Sequence, residues 1–330
     1  MNYKRWINGK SLSTTAILSS LFIASLVLPG NFSKKTESKV NSPNLIREKT
    51  AQRIEPLNFF RDIKLTARGV FVWDIKNQKV LFEHNSSAAL PLASLTKTLL
   101  ALTAYETLPA NTEINIDKDF LKAEGDTGLF ADERWRMKEL IDFSLLTSSN
   151  DAALAIASVA GAIKANTSNY NIGRGAFVEL MNNRAQQLNL ESIVIKNESG
   201  LDKDSFESGA YGNARDIALL FEYLLKNHPE ILELTILSQT DFVSLSGKEH
   251  QAKNTNIAIN EIPGLIASKT GFTDLAGGNL AIVFDPTLGR PIIIVVLGSS
   301  FADRFTDALK LAQATKEYLE KERASRKALP

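Results

Sequence analysis

The sequence predicts a mixed α/β chain of the α+β type: a five-stranded antiparallel sheet flanked by helices, with a mostly helical subdomain inserted into it. Three observations carry this expectation. Two β-rich runs lie near the start of the foldable region, three lie near its end, and most of the chain between them has helical apolar spacing. Strands gathered from both ends of one chain most simply pair into a single antiparallel sheet. With 330 residues, 44% hydrophobic and 23% charged, the chain has the apolar material for such a core and is excluded from the wholly disordered class.

Before the first strand comes a segment of another kind. Lys4, Arg5 and Lys10 precede 23 uncharged residues with an apolar centre at 16–28, broken off by Pro29 and Gly30. As a helix these residues would extend about 34 Å, enough for a bilayer core of about 30 Å. Basic residues ahead of the apolar run predict export of everything after Lys34. Residues 1–30 are therefore expected to be an uncleaved membrane anchor, with a cleaved signal as the alternative, because the apolar centre is short but no good small-x-small site follows it. The folded part would then stand on the extracytoplasmic face of the membrane, or be secreted or periplasmic if the segment is removed. Residues 31–60 are polar and charged without a sustained apolar period and are assigned to a tether. Residues 61–322 are assigned to the folded domain and 323–330 to a tail.

Within that domain, residues 69–75 and 79–83 are strand candidates joined by Lys76, Asn77 and Gln78 as a hairpin. Residues 96–107, 138–146, 151–163, 175–188 and 214–226 have helical spacing, several after Ser or Asn caps. Residues 265–270, 279–285 and 291–298 supply three more strands, the last two joined by a turn at 286–290. The chain closes on an amphipathic helix at 301–327, with Phe301, Phe305, Leu309, Ala312 and Leu319 near one face. Its polar face mixes acids with bases, which favours packing on the sheet over lying on a membrane.

Composition narrows the chemistry. The formal charge of +1, from 38 basic and 37 acidic side chains, gives no reason to expect nucleic acid as a partner. The total is uneven: after residue 30 the chain holds 35 basic and 37 acidic groups. Absence of cysteine excludes disulfides, thiolate nucleophiles, cysteine metal sites and a cysteine-borne lipid anchor. None of the three histidines, His84, His228 and His250, lies near a serine in a nucleophile-elbow pattern, and no metal cage or cofactor is expected. A serine hydrolase here needs another base. Ser94 stands where a loop becomes a helix, and Lys97 follows one turn later on the same face. A lysine can deprotonate a serine if burial and a second cation lower its pKa.

Ser-x-x-Lys alone is a weak signal, but two further pieces follow in order. Ser148 and Asn150 form Ser-x-Asn between two helices, and Lys269, Thr270 and Gly271 end a predicted strand, followed by Phe272 and Thr273. The set resembles the penicillin-recognising serine enzymes, the superfamily of D,D-peptidases and serine β-lactamases. Residues 93–97 (ASLTK), 150–152, 177–182 (FVELMN), 199–202 (SGLD), 254–256 (NTN) and 269–273, with Ala276 and Gly277, are most similar to the D-alanyl-D-alanine carboxypeptidase family, the low-molecular-mass penicillin-binding proteins. The chain departs from many members at Glu198 and Ser199, where Pro-His is common. It also leaves little room after the catalytic domain for the extra β-rich domain and amphipathic anchor of many relatives.

The resemblance implies a β-lactamase/transpeptidase-like fold and carboxypeptidase action on peptidoglycan stem peptides, with β-lactams as covalent inhibitors. D,D-endopeptidase cleavage of crosslinks is the alternative; a class A-like β-lactamase and a non-hydrolytic β-lactam sensor or wall-binding module are further ones. The lactamase reading lacks a well-placed deacylating glutamate, Glu179 being the nearest decoy. By the same resemblance Ser94 is the nucleophile and Lys97 its base. Ser148 passes a proton to the leaving amine, and Asn150 holds Lys97 and the substrate backbone. Lys269 is the second cation, lowering the pKa of Lys97 and orienting Ser148. Thr270 and Thr273 bind substrate, Gly271 lets it lie close to the strand, and the Phe272 and Ser94 N–H groups form the oxyanion hole.

Overall fold

The computed structural model describes residues 55–125 and 128–327. The chain divides into two units, 1–50 and Ala51–Pro330. The first, with the membrane segment and most of the tether expected there, lies outside the described residues.

The second unit begins with a short helix, α1 (Leu57–Phe60), and a hairpin of β1 (Gly69–Asp74) and β2 (Lys79–His84). The Asp74 carboxylate organises the turn between them, accepting from the Asn77 backbone N–H at 3.1 Å and its Nδ2 at 2.7 Å. Strand β3 (Leu90–Pro91) leads through a 3-10 turn, Ala93–Leu95, into α2 (Thr96–Thr107). A small hairpin of β4 (Glu113–Asn115) and β5 (Arg134–Arg136) precedes α3 (Met137–Thr147), α4 (Asn150–Lys164) and α5 (Tyr170–Gln187). Strands β6 (Val194–Ile195) and β7 (Ala210–Gly212) come before α6 (Ala214–Asn227), and β8 (Gln239–Val243) pairs with β9 (Glu249–Lys253). The chain returns through β10 (Leu265–Thr273), β11 (Gly277–Phe284) and β12 (Ile292–Ser299) to the long helix α7 (Asp303–Lys327).

The main sheet runs β10-β11-β12-β1-β2, every pairing antiparallel. The two ends of the domain meet where β1 pairs with β12, Val70 opposite Val296. Side chains alternate across a strand, so this sheet is coated on two faces. Val70, Val72, Ile292, Ile294 and Val296 pack with Phe305, Ala308, Leu311 and Tyr318 of α7. Phe71, Ile293, Val295 and Leu297 face the larger core built with α2 to α6. Burial on both faces accounts for the unbroken apolar run of β12.

The five strands and the helical insertion fall where the sequence reading put them, with four differences. Phe60 is buried and stacks on Phe82 at 5.1 Å, so the end of the segment assigned to the tether belongs to the folded body. Helix α5 starts at Tyr170 rather than 175, capped by Asn169, whose Oδ1 accepts from the Asn171 and Ile172 N–H groups. Helix α7 lies on the sheet, but Phe301 precedes it and is 59% exposed, and the helix runs on to Lys327 through the assigned tail. The short hairpins β4-β5 and β8-β9 were not anticipated. No helix among the described residues is long and apolar enough to cross a membrane.

Candidate active site

Ser94 sits in the 3-10 turn that starts α2, a segment held from several sides. Asn279 of β11 donates through Nδ2 to the Pro91 and Leu92 carbonyls, both at 3.0 Å, and Thr96 Oγ1 donates to the Ala93 carbonyl at 2.7 Å. Ala93 has φ +47°, a conformation costly for a residue with a β-carbon and retained where surroundings fix it. Gly200 supplies one such constraint: a β-carbon there would lie 2.0 Å from the Ala93 carbonyl oxygen. The three-residue helical offset then brings Lys97 Nζ to 2.8 Å from Ser94 Oγ.

Lys97 is fully buried and has two more acceptors, Asn150 Oδ1 at 2.7 Å and the Ser199 carbonyl at 3.1 Å. Asn150, the first residue of α4, donates its Nδ2 to the Glu124 carbonyl at 2.6 Å, which fixes the orientation of the amide. Ser148 ends α3 in the left-handed region, φ +64° and ψ +28°, and Ser149 caps α4 by accepting from the Ala152 N–H at 3.1 Å. The tight junction between two helices thus aims Ser148 Oγ at Lys269 Nζ, 2.9 Å away. Lys269, 2% exposed, lies on the edge strand β10 and also donates to the Thr270 carbonyl. Next along that strand, Thr270 Oγ1 is 2.5 Å from Thr255 Oγ1, and the Phe272 ring stands half exposed, edge to face with Phe301 at 5.0 Å. Sequence segments far apart in the chain therefore converge on one cluster.

Burial dominates the electrostatics. It lowers the Lys97 ammonium from its ordinary 10.5 to about 7, against the opposing pull of the Glu198 carboxylate. Lys269 is also driven well below its ordinary value, first by burial and then by repulsion from Lys97 and Arg304. The sequence reading credited a second cation with lowering Lys97; the structure puts burial first and shows the repulsion at Lys269. Two buried amines near a serine pair cannot both stay charged cheaply, so one is available as a neutral base near pH 7.

Two expected roles change. Thr273 is 8% exposed and donates to Asp202 Oδ1 at 3.0 Å while accepting from the Ala276 N–H, so it ties the strand end to the 197–203 loop instead of offering a free hydroxyl to substrate. At Gly271 the close neighbour is the chain itself. A β-carbon there would lie 2.9 Å from the Leu92 carbonyl oxygen and 3.1 Å from the Ser94 nitrogen, so glycine lets β10 approach the serine turn. The decoy Glu179 lies exposed on α5, whose Phe177, Met181 and Ala185 face the core.

Residues 55–300 match the family described as D-alanyl-D-alanine carboxypeptidase, peptidase S11. The chain belongs to that family. Among curated relatives of the D-alanyl-D-alanine carboxypeptidases, it is 31% identical to DacB2 of Mycobacterium tuberculosis over 62% of this chain and 66% of the relative. It is 29% identical to DacF of Bacillus subtilis over 71% and 58% respectively, so it spans about two thirds or less of the length of these two relatives. A D-alanyl-D-alanine endopeptidase of Haemophilus influenzae is 31% identical, over 66% of this chain and 70% of the relative. Among solved structures, penicillin-binding protein D2 of Listeria monocytogenes in its ampicillin-bound form aligns with a TM-score of 0.65 at 27% identity, covering 77% of this chain and 98% of that one.

Sequence reasoning within this carboxypeptidase family missed several groups at the site. Glu198 is buried and paired through both oxygens with Arg174, Nε at 2.7 Å and Nη2 at 3.1 Å. Arg304, 4% exposed, reaches back from α7 to donate to the Gly271 carbonyl at 2.8 Å and lies over the Phe301 and Phe305 rings. Burial holds its pKa down to about 10, and no ion pair to a carboxylate is seen for it among the described residues. The Glu198–Ser199 departure from the family pattern was the one available signal for the first pair; nothing local marked Arg304.

Proposed function

We propose that the chain is a serine-type D-alanyl-D-alanine carboxypeptidase that acts on peptidoglycan stem peptides through an acyl-enzyme on Ser94. The observation that carries this reading is the contact of a fully buried lysine amine, its pKa near 7, with the Ser94 hydroxyl at 2.8 Å. In this reading neutral Lys97 takes the Ser94 proton as Oγ attacks the carbonyl of the penultimate D-alanine. Negative charge on that oxygen is met by the Ser94 and Phe272 N–H groups. As the C–N bond breaks, Ser148 passes a proton to the leaving amine, resupplied from the lysine side of the cluster, and water later releases the shortened peptide. The Thr270 hydroxyl, with Arg304 held at the neighbouring Gly271 carbonyl, makes a polar end suited to a free carboxylate beside the scissile bond, a group that carboxypeptidase and endopeptidase substrates can share. The endopeptidase reading is kept because a relative of that name is 31% identical. Acylation of Ser94 by β-lactams belongs to the same proposal, supported by the ampicillin-bound relative. We further propose that residues 1–30 hold the domain at the extracytoplasmic face of the cell membrane, or direct its export if cleaved.

Incubation with a muropeptide pentapeptide and with a crosslinked dimer, followed by mass analysis, tests the reading. Loss of one D-alanine from the pentapeptide, absent in Ser94→Ala, is expected; full activity in that variant would overturn the nucleophile. Cleavage of the dimer faster than the pentapeptide would turn the assignment to endopeptidase.

A further inference from the structure

A cavity of about 660 Å³ opens beside the catalytic cluster, and the proposed reaction at Ser94 does not use it. Its size lies within the range of about 300–1,000 Å³ typical of small-molecule sites. One wall is the 197–203 loop, whose Ser199 carbonyl accepts from Lys97; another is the segment at 117–123, just ahead of the Glu124 carbonyl that fixes Asn150. The cavity therefore shares two walls with the cluster, one at the Ser199 carbonyl that accepts from Lys97 and one leading to the Glu124 carbonyl that accepts from Asn150. The third side is the start of α5, with Tyr170 and Arg174.

Among the charged groups lining it, most are already committed. Lys122 pairs with Asp119 and Lys203 with Glu207, each at 2.7 Å, and Asp202 accepts from Thr273 and the Leu275 N–H. Arg174 differs. Its Nε and Nη2 bond the buried Glu198, which locks the guanidinium plane, while its side chain remains 42% exposed to the cavity. A guanidinium has five N–H donors, and the Glu198 pair uses two, so three remain for another acceptor at the cavity. An ion pair with one partner buried and the other 42% exposed adds little to stability by itself, which leaves its positioning of Arg174 as the better account of it.

We propose that this cavity is a subsite for a carboxylate borne by the stem peptide upstream of its D-Ala-D-Ala end, bound by Arg174 held in place by Glu198. The proposal rests on the carboxypeptidase reading for the identity of the peptide. Two residues of a stem peptide can carry such a carboxylate, the second or the third, and both present the same chemistry to Arg174.

The test uses two pairs of pentapeptides ending in D-Ala-D-Ala, members of each pair differing only by carboxylate or carboxamide, on the second residue in one pair and the third in the other. For the full chain, kcat/KM for the acid should exceed that for the amide by about ten- to a hundredfold in one pair, the range of a charge-assisted hydrogen bond. The ratio should collapse toward one in Arg174→Gln and partly return in Arg174→Lys. Using the ratio removes any general damage the substitution does to the fold or to Lys97. Equal rates within both pairs, or a preference that survives Arg174→Gln, would overturn the subsite. Release of D-alanine from none of the peptides would instead sink the hydrolytic reading. In that case calorimetric titration of Ser94→Ala with the acid and amide pentapeptides still decides: tighter binding of an acid form, lost on adding Arg174→Gln, supports the subsite, and equal binding refutes it.

Discussion

At the scale of single residues, the decisive feature is an amine that is neutral when most lysines are charged. Lys97 acts as a base only when deprotonated, so the rate of Ser94 acylation by a labelled penicillin should rise with pH through about 7 and level off above it. A rate that climbs only near 10 would mean that Lys97 is not the base. Lys97→Ala should slow the same acylation by about 10²–10⁴-fold. The opposing pull of Glu198 gives a second, signed expectation. Removing that charge in Glu198→Gln should move the acid limb to lower pH, read in the same assay, and an unmoved limb would show that the carboxylate does not reach Lys97 electrostatically. These residues were unequally legible. Ser94, Lys97, Ser148, Asn150 and Lys269 stood out because each belongs to a short contiguous motif. The Ser199 carbonyl, Arg174 and Arg304 act through contacts made only after folding, and a backbone oxygen or a lone arginine leaves no pattern in the chain.

At the scale of elements, close approach of backbones sets the geometry. Strand β10 can press against the serine turn because Gly271 has no side chain, and Gly271→Ala should push the two apart. The expected result is slower penicillin acylation, by tenfold or so, with little change in melting temperature, in line with the cost of a small misplacement at a reacting centre. Normal acylation in that variant would mean that the turn yields freely. Helices α4 and α5 show the same device used for packing. A β-carbon at Gly173 would lie 2.5 Å from both the Ala162 nitrogen and the Ser158 carbonyl oxygen, so Gly173→Ala should destabilise the domain by about 1–3 kcal/mol in urea unfolding, and an unchanged midpoint would contradict it. This glycine also explains a misjudged boundary. The expected start at 175 leaves Gly173 outside the helix, yet Gly173 is what lets α5 lie against α4, a tertiary reason that outweighs the low helix propensity of glycine. The hairpins β4-β5 and β8-β9 escaped notice because their strands are three and five residues long, too short for alternation to stand out.

At the scale of the whole molecule, Asp307 joins the two ends of the domain. Its buried carboxylate accepts from the Thr66 and Ala67 N–H groups ahead of β1 and from Ser299 Oγ at the end of β12. Asp307→Ala leaves those donors unpaired and should cost about 1–3 kcal/mol in urea unfolding, while protein that stays folded acylates normally. Equal stability would show that water replaces the carboxylate without loss. The sheet itself was readable from the chain because each strand is a distinct apolar run, whereas its strand order is set by pairings that only folding makes. That order, with β1 lying between β2 and β12, has a consequence for synthesis. A ribosome that has already delivered Ser94, Lys97 and Ser148 has yet to make Lys269 and the strands that close the sheet. The nascent chain thus carries a serine without its finished surroundings, and in the proposed reaction that serine becomes reactive only when the last strands arrive.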